Sequence, residues 1–97
     1  MVILKTLSRG EEMHGFQIAD AILTSSENIL QVEEGSLYPA LQRLLVKGWI
    51  SGEWGRTEGN RRARYYQITK SGRKQLKNEI EAYRRVSGAI SRILEPA

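Results

Sequence analysis

The chain has 97 residues, which is the size of one domain, and it has no cysteine for disulfides or thiolate metal sites. Its apolar runs are only a few residues long and its start lacks a secretory pattern, so we expect a cytoplasmic protein with no membrane segment. The net charge of +4 is unevenly divided, being −3 through residue 54 and +7 from residue 55 onward. A basic second half favours a polyanionic partner, an acidic membrane surface or simply a solvated helix.

The first third of the chain predicts two helices. "VILKTL" is typical of the tail of a first helix, so the chain begins inside that helix, and "SRGEEMHG" is a turn-rich break. "FQIADAIL" predicts an amphipathic second helix, because its apolar residues recur at helical spacing. These residues are Phe16, Ile18, Ala19, Ile22 and Leu23. His14 has no second histidine or cysteine as a partner, so we expect a local hydrogen bond at this helix start instead of a metal or catalytic role.

A third helix is predicted from Ser36 to Lys47, in the segment "SLYPALQRLLVKG". Its leucines follow the spacing i, i+4, i+7, i+8, which is one apolar stripe. Ser36 or Gly35 can cap its start, and Gly48 suits the position just past its end. Pro39 is expected within the first turn, where a missing N–H costs little.

The opposite face of this third helix carries polar groups and no acid after the first turn. A projection at 100° per residue places Ser36, Gln42 and Arg43 there, with Tyr38 at the border. Hydroxyl, amide and guanidinium groups are side chains that read base edges or hold phosphates. An ordinary solvated helix face explains the same pattern equally well.

The segments "WISGEW" and "ARYYQIT" alternate in polarity and predict a β-hairpin, with "GRTEGNRR" as its loop. Ile50 and Trp54 fall on one face of the first strand, and Tyr66 and Ile68 on one face of the second. We expect Trp54 and Trp49, at the two ends of the first strand, to pack the hairpin on the body. The alternative is an aromatic pocket between subunits.

The hairpin loop is rich in arginine. Arg56, Arg61, Arg62 and Arg64 lie within nine positions that contain one acid, Glu58. This density favours phosphate contacts or insertion into a narrow minor groove. A loop that only increases solubility is the alternative.

A long last helix is predicted from residue 70 to residue 94, with Thr69 as its cap. Its apolar residues follow a 4-3-4-3-4 spacing that resembles a coiled-coil seam, with Ser87 as a weak position. A helix of roughly 37 Å is too long for so small a body to cover, so we expect pairing with a second copy. The predicted dimer interface is Leu76, Ile80, Tyr83, Ile90 and Leu94.

The order of these elements predicts a mainly α fold with a small β-hairpin, namely a winged helix-turn-helix plus a long C-terminal dimerisation helix. The winged part spans residues 1–69, and the dimerisation helix spans 70–97 within the same compact unit. In a helix-turn-helix the second of the paired helices enters the major groove, and here that is the third helix. We expect no cofactor and no metal site. An enzyme is a poor interpretation, because no phosphate loop and no suitable carboxylate pair is present.

Three segments resemble the PadR family of bacterial transcriptional regulators: "ILKTLSRGEEMHGFQIADAI", "VEEGSLYPALQRLLVKGWI" and "GNRRARYYQITKSGRKQL". The resemblance covers nearly the whole chain and is most similar to the short subgroup of the family. It implies a homodimeric winged-helix repressor, often responsive to a small molecule, although no residue here identifies an inducer. By position, the motif of the recognition helix matches Ser36, Tyr38, Pro39 and Arg43. The motif that closes the wing matches Tyr66 and Thr69.

The leading hypothesis is therefore a sequence-specific regulator of double-stranded DNA, a homodimeric repressor of a pseudo-palindromic operator that a small molecule relieves. The alternative is a protein-interaction module built on a winged-helix scaffold, with the last helix as its docking surface. The predicted DNA-binding residues are Ser36, Tyr38, Pro39, Gln42, Arg43, Arg56, Arg61, Arg62 and Arg64.

Overall fold

The structure is a computed structural model and describes residues 1–95, so the last two residues of the predicted 70–97 segment lie outside it. The described chain is mainly helical, with one antiparallel sheet of strand order β1-β3-β2. Its elements are α1 (Val2–Ser8), β1 (Met13–His14), α2 (Gly15–Ser25), α3 (Glu34–Val46), β2 (Ile50–Arg56), β3 (Arg62–Ile68) and α4 (Lys70–Leu94). The predicted class, a winged helix-turn-helix with a long C-terminal helix, is confirmed.

Strand β1 was not predicted. Its two residues pair with β3, Met13 opposite Tyr66 and His14 opposite Tyr65. Two residues are too few to show an alternating pattern, so the sequence indicated only a turn-rich break there. The pairing fastens the hairpin to the start of α2, which fixes the direction in which the hairpin leaves the body.

One apolar core joins the helices to the near end of the hairpin. Its buried residues are Leu4, Leu7, Ile18, Ile22, Leu37, Leu41, Ile50, Tyr66 and Leu76. The stripes predicted for α2 and α3 supply four of them. Phe16 was wrongly assigned to the α2 stripe and is 73% exposed. It lies about 160° around the helix from Ile18, which turns its ring away from the core.

Helix α3 begins two residues earlier than predicted. Its N-cap is Glu33, which makes no side-chain capping bond, so the prediction that Ser36 or Gly35 caps the helix is wrong. Pro39 therefore lies inside the helix and not in its first turn. Its missing N–H leaves the carbonyl of Gly35 without its intrahelical donor. Gly35 is exposed, so water can take that place.

One face of the hairpin changes from apolar to basic between the body of the domain and the tip of the hairpin. Directly opposed residues share a face, and the register pairs Ile50 with Ile68, Gly52 with Tyr66, Trp54 with Arg64, and Arg56 with Arg62. This face is apolar at the body, aromatic in the middle and basic at the tip. Because its inner end belongs to the core, its arginines turn toward the side on which the helices lie. We call the hairpin of residues 50–68 the wing.

Thr69 joins the wing to α4. Its hydroxyl accepts the Gly72 N–H at 3.0 Å, which confirms the predicted cap, and donates to the Gly48 carbonyl at 2.7 Å. Gly48 has φ +74°, a left-handed conformation that glycine adopts without strain, and confirms the predicted end of α3. One hydroxyl thus connects the end of α3 to the beginning of α4.

We expect Thr69→Ala to lower the free energy of unfolding by about 1–2 kcal/mol, since it removes both hydrogen bonds of the hydroxyl. Urea denaturation measures this difference. Thr69→Ser keeps the hydroxyl and serves as the control, and we expect it to recover most of the stability. Serine and alanine variants of equal stability would contradict the role given to this hydroxyl.

The second half of α4 projects from the body, and the molecule is 58 Å along its longest axis. An exposed apolar stripe follows this half of the helix, formed by Tyr83, Val86, Ile90, Ile93 and Leu94. Leu76 does not belong to it, because its side chain is 6% exposed and packs in the core of its own chain. Assigning Leu76 to a subunit interface is therefore corrected, and Ile80 is half-buried against the same core.

Candidate nucleic-acid interface

A concave surface of about 680 Å³ lies between the wing and the starts of α2 and α3. We call it the wing cleft. Its walls bring together Phe16 from α2, Tyr38 from α3 and four side chains of the wing, namely Trp54, Arg62, Arg64 and Tyr66, with Arg61 at the tip. The predicted site residues Tyr38, Arg61, Arg62 and Arg64 therefore share one surface.

Three large aromatic rings of the wing cleft face solvent. Phe16 is 73% exposed, Trp54 60% and Tyr38 48%. Large apolar groups clustered on a concave surface mark a binding region more often than isolated exposed ones do. The wing cleft therefore offers flat apolar surfaces as well as charge.

The start of α2 forms one wall and is held by a reciprocal cap. Nδ1 of His14 accepts the Gln17 N–H at 3.4 Å, while the Gln17 side chain accepts the His14 N–H at 3.1 Å. This confirms the predicted local role of His14. The next residue, Gly15, lies directly under the ring of Tyr38, since a Cβ there would come within 3.0 Å of that ring. The absence of a side chain at Gly15 lets Tyr38 rest on the α2 backbone.

Arg64 crosses the wing and does not extend freely into solvent. A Cβ at Gly52, on the neighbouring strand, would lie 2.7 Å from Nε of Arg64. The guanidinium lies 6.0 Å from the ring centroid of Tyr66. Nε is buried and has no hydrogen-bond partner among residues 1–95. Burial raises the pKa of the Tyr66 hydroxyl, Arg64 lowers it and Tyr38 raises it, with burial dominant, so this phenol stays neutral near pH 7.

The other wing arginines differ in their surroundings. Arg62 stacks on Trp54, with its guanidinium carbon 4.5 Å from the ring centroid. Arg56 donates to the carbonyl of Asn60 at 3.3 Å, inside the turn at the tip. In the part of the chain that the structure describes, the only ion pair joins the N-terminus to Glu79, and no acid lines the wing cleft. The cleft is therefore electropositive, and its charges lack protein counterions.

The two tryptophans differ in their burial. Trp49 is half-buried against the core, with the Lys47 ammonium 4.8 Å from its ring centroid, so the predicted packing on the body is confirmed. For Trp54 the same prediction is wrong. Its register position opposite Arg64 places it toward the tip of the wing, beyond the reach of the core.

The polar face of α3 is divided between two surfaces. Ser36 and Arg43 line a separate groove beside the start of α1, together with Lys47. Pro39 and Gln42 are exposed and line neither the wing cleft nor this groove. The predicted α3 residues thus span the outward half of the helix, and Tyr38 alone reaches the wing cleft.

The predicted site did not include the large aromatic lining residues Phe16, Trp54 and Tyr66. Phe16 was assigned to the core, Trp54 to packing on the body, and Tyr66 to one face of a strand and to the motif that closes the wing. Two sequence patterns could have placed Phe16 and Trp54 in the site. A helical projection separates Phe16 from Ile18, and the even-numbered residues of the wing share one face, which puts Trp54 beside the arginines. No sequence pattern could have assigned Tyr66 to the site, because a strand residue that only packs in the core shows the same alternation as one that also lines a cleft.

These features define a winged helix-turn-helix protein with a basic, aromatic surface beside its third helix. The family model described as "Transcriptional regulator PadR-like family" matches residues 3–78. The chain therefore belongs to the PadR-like family of transcriptional regulators, which confirms the resemblance noted in its motifs.

Solved structures agree with this assignment. A transcriptional regulator from Clostridium thermocellum is 29% identical with a TM-score of 0.87, over 97% of this chain and 90% of that chain. A PadR-like transcriptional regulator from Bacillus cereus is 27% identical with a TM-score of 0.79, over 98% of this chain and 89% of that one. Bacillus subtilis PadR, solved in complex with operator DNA, is 23% identical with a TM-score of 0.71, over 81% of this chain and 44% of that chain. The similarity to Bacillus subtilis PadR shows a shared fold and no more.

No helix within residues 1–95 combines the length and the apolar character needed to cross a membrane.

Proposed function

We propose that this protein is a homodimeric repressor that binds a pseudo-palindromic operator in double-stranded DNA. The observation that carries the proposal is the wing cleft, where arginines without protein counterions and exposed aromatic rings lie beside the third helix. The operator complex of Bacillus subtilis PadR, which has the same fold, supports it. A regulator of chromosomal genes acts where the chromosome lies, which is the cytoplasm.

In this proposal α3 enters the major groove and the wing follows the adjacent backbone. Gln42 and Arg43 are exposed on the outward half of α3 and can reach base edges. The wing arginines supply phosphate contacts, which add affinity for every sequence. Residues 1–69 then serve as the DNA-binding part, and α4 as the part that joins two copies.

The dimer places two α3 helices about one turn of DNA apart, or ~34 Å, which a pseudo-palindromic operator requires. The exposed stripe of α4 supports this arrangement, because residues 1–95 leave at least half of the surface of Tyr83, Ile90 and Leu94 exposed. A stripe of this kind on a projecting helix is stabilised by pairing with a second copy.

A small molecule that relieves repression has a candidate site beside this stripe. A groove of about 330 Å³ lies between α1, the end of α2 and α4. Ile22, Leu30, Ile80 and Tyr83 give it an apolar lining, and its volume falls in the range of ligand sites. A ligand there would contact Tyr83 and so alter the spacing of the two DNA-binding parts. Small molecules that release DNA should therefore lose their effect in a Tyr83→Ala variant that still binds operator.

A second candidate function is a protein-interaction module, favoured by the same exposed stripe of α4 if a different protein covers it. This alternative predicts no retention on DNA at physiological salt and a complex with another protein through α4. This alternative assigns no role to the arginines of the wing cleft.

Arg43→Ala is expected to weaken operator binding by about 1–3 kcal/mol and to reduce discrimination against random DNA, because in this proposal Arg43 reads a base. Arg61→Ala is expected to weaken operator and random DNA equally, because in this proposal Arg61, at the wing tip, contacts a phosphate. Binding titrations on both DNAs at several salt concentrations measure the two effects. If Arg43→Ala weakens both DNAs equally, Arg43 holds a phosphate and specificity comes from other residues.

A further inference from the structure

The inner end of the wing cleft contains three hydrogen-bond donors and no negative charge. They are the guanidinium of Arg64 and the phenol hydroxyls of Tyr38 and Tyr66. Two elements carry them: Arg64 and Tyr66 lie on β3, whereas Tyr38 lies on α3. Donors that converge from two elements, with no carboxylate among the lining residues, suit an anionic ligand.

Arg64 is held in place by its neighbours. Gly52 leaves the space that its side chain crosses, and the ring of Tyr66 lies beneath its guanidinium. Its buried Nε is unsatisfied within residues 1–95. A partly buried guanidinium without an anion loses hydration that nothing in the described chain replaces, so an anionic ligand would restore the missing interaction.

The two tyrosines are fixed as well. Tyr66 is 6% exposed and anchored in the core, so its hydroxyl can reach only the inner end of the cleft. Tyr38 rests on Gly15, whose missing side chain allows that approach. Donors held in position lose little conformational entropy when a ligand arrives.

We infer that the inner end of the wing cleft binds one phosphodiester of the DNA backbone, with Arg64, Tyr38 and Tyr66 as its donors and Gly52 as the residue that positions Arg64. This inference rests on the proposed function and specifies how the wing engages DNA. Phe16 and Trp54, exposed on the rim, pack against the deoxyriboses on either side of that phosphate. A space of about 680 Å³ with aromatic walls suits a phosphate within a chain better than a small free anion.

The test uses a random 30-base-pair duplex and measures log K against log salt for the wild type and four variants. Arg64→Gln should reduce the steepness of the salt dependence by about 0.9, the share of one phosphate. Tyr66→Phe keeps the ring and removes the hydroxyl, so it should weaken binding by about tenfold while the slope stays unchanged. Gly52→Ala retains every charge but displaces Arg64, and should reproduce the loss of slope seen in Arg64→Gln.

The fourth variant, Tyr65→Phe, is the control. Tyr65 is the neighbour of Tyr66 on the opposite face of β3, where its hydroxyl donates to the Arg56 carbonyl at 3.2 Å. Its variant should bind the duplex like the wild type. A loss in Tyr65→Phe as large as that in Tyr66→Phe would overturn the inference, because it would show a general disturbance of the wing.

Free phosphate as the ligand is tested by repeating the titrations in chloride and in inorganic phosphate of equal ionic strength. We expect the same affinity for the duplex in both. Inorganic phosphate that competes with the duplex in the wild type but not in Arg64→Gln would overturn the inference in favour of a small-anion site. If the wild type binds no duplex at low salt, the proposed function fails. If it binds and the variants match it, only the inference about the cleft fails.

Discussion

Ile90→Asp is expected to convert the proposed dimer into a monomer and to weaken operator binding by at least about 100-fold. Ile90 lies in the middle of the exposed stripe of α4, and two copies of it are buried in the proposed dimer. Full burial of such a side chain contributes about 1.5–3 kcal/mol, and Ile90 is 50% exposed, so two copies lose about 1.5–3 kcal/mol of apolar burial. Two carboxylates enclosed in the interface would cost several kcal/mol more. Sedimentation equilibrium measures the mass, and a binding titration measures the affinity.

Ser91→Asp is the matched control for this substitution. Ser91 is the next residue of α4 and is exposed, but it lies outside the apolar stripe. The same charge placed there should leave both the dimer and DNA binding intact. An Ile90→Asp protein that remains dimeric and fully active would show that the two copies meet elsewhere.

Gly72→Ala is expected to lower the free energy of unfolding by about 3 kcal/mol or more. Gly72 is buried in the first turn of α4, and a Cβ there would overlap the backbone carbonyl oxygen of Trp49. Backbone atoms cannot move aside as the end of a flexible side chain can, so α4 would have to shift away from Trp49. Urea denaturation at neutral pH measures the loss.

Gly88→Ala, in the exposed half of the same helix, provides the comparison. A Cβ at Gly88 would meet only the end of the Arg92 side chain, at 3.7 Å. Alanine is the better helix former by about 0.5–1 kcal/mol, so this variant should be slightly more stable than the wild type. If Gly72→Ala is as stable as Gly88→Ala, the close contact between α4 and Trp49 is absent from the folded protein.

Local features of the fold were predictable wherever a short-range rule decides them. Thr69 as a cap, Gly48 after α3 and the local hydrogen bond of His14 each depend on neighbours within a few residues. The start of α3 was misjudged because Ser36 is a common cap residue, yet the helix begins earlier without any side-chain cap. Strand β1 depends on β3, about fifty residues away, and no local pattern records that pairing.

The candidate site was predicted in its residue types more than in its geometry. The density of arginine around the wing loop predicted a basic surface on the wing, but not that Arg64 lies across Gly52. The helical projection placed Arg43 on the polar face of α3 and Tyr38 at its border, but it did not show which element each would meet. The structure directs Tyr38 to the wing cleft and Arg43 to the groove beside α1, because different elements flank the two sides of α3.

The seam of α4 shows a similar limit. Heptad-like spacing placed Leu76 and Ile90 on one line, which is correct for the helix itself. The body of the domain covers the beginning of that line, so Leu76 is buried within its own chain while Ile90 stays exposed. Spacing identifies the residues that share a side, whereas the neighbouring elements decide which partner covers them.

A footprint of the wild-type protein on the DNA upstream of its own gene tests DNA recognition most directly. We predict two protected half-sites related by approximate two-fold symmetry, with centres ~10 base pairs apart. Protection should require the proposed dimer and weaken steeply as salt rises, because in the proposed complex the wing arginines contact phosphates. Equal, salt-independent protection of all sequences, or no protection at low salt, would contradict the account.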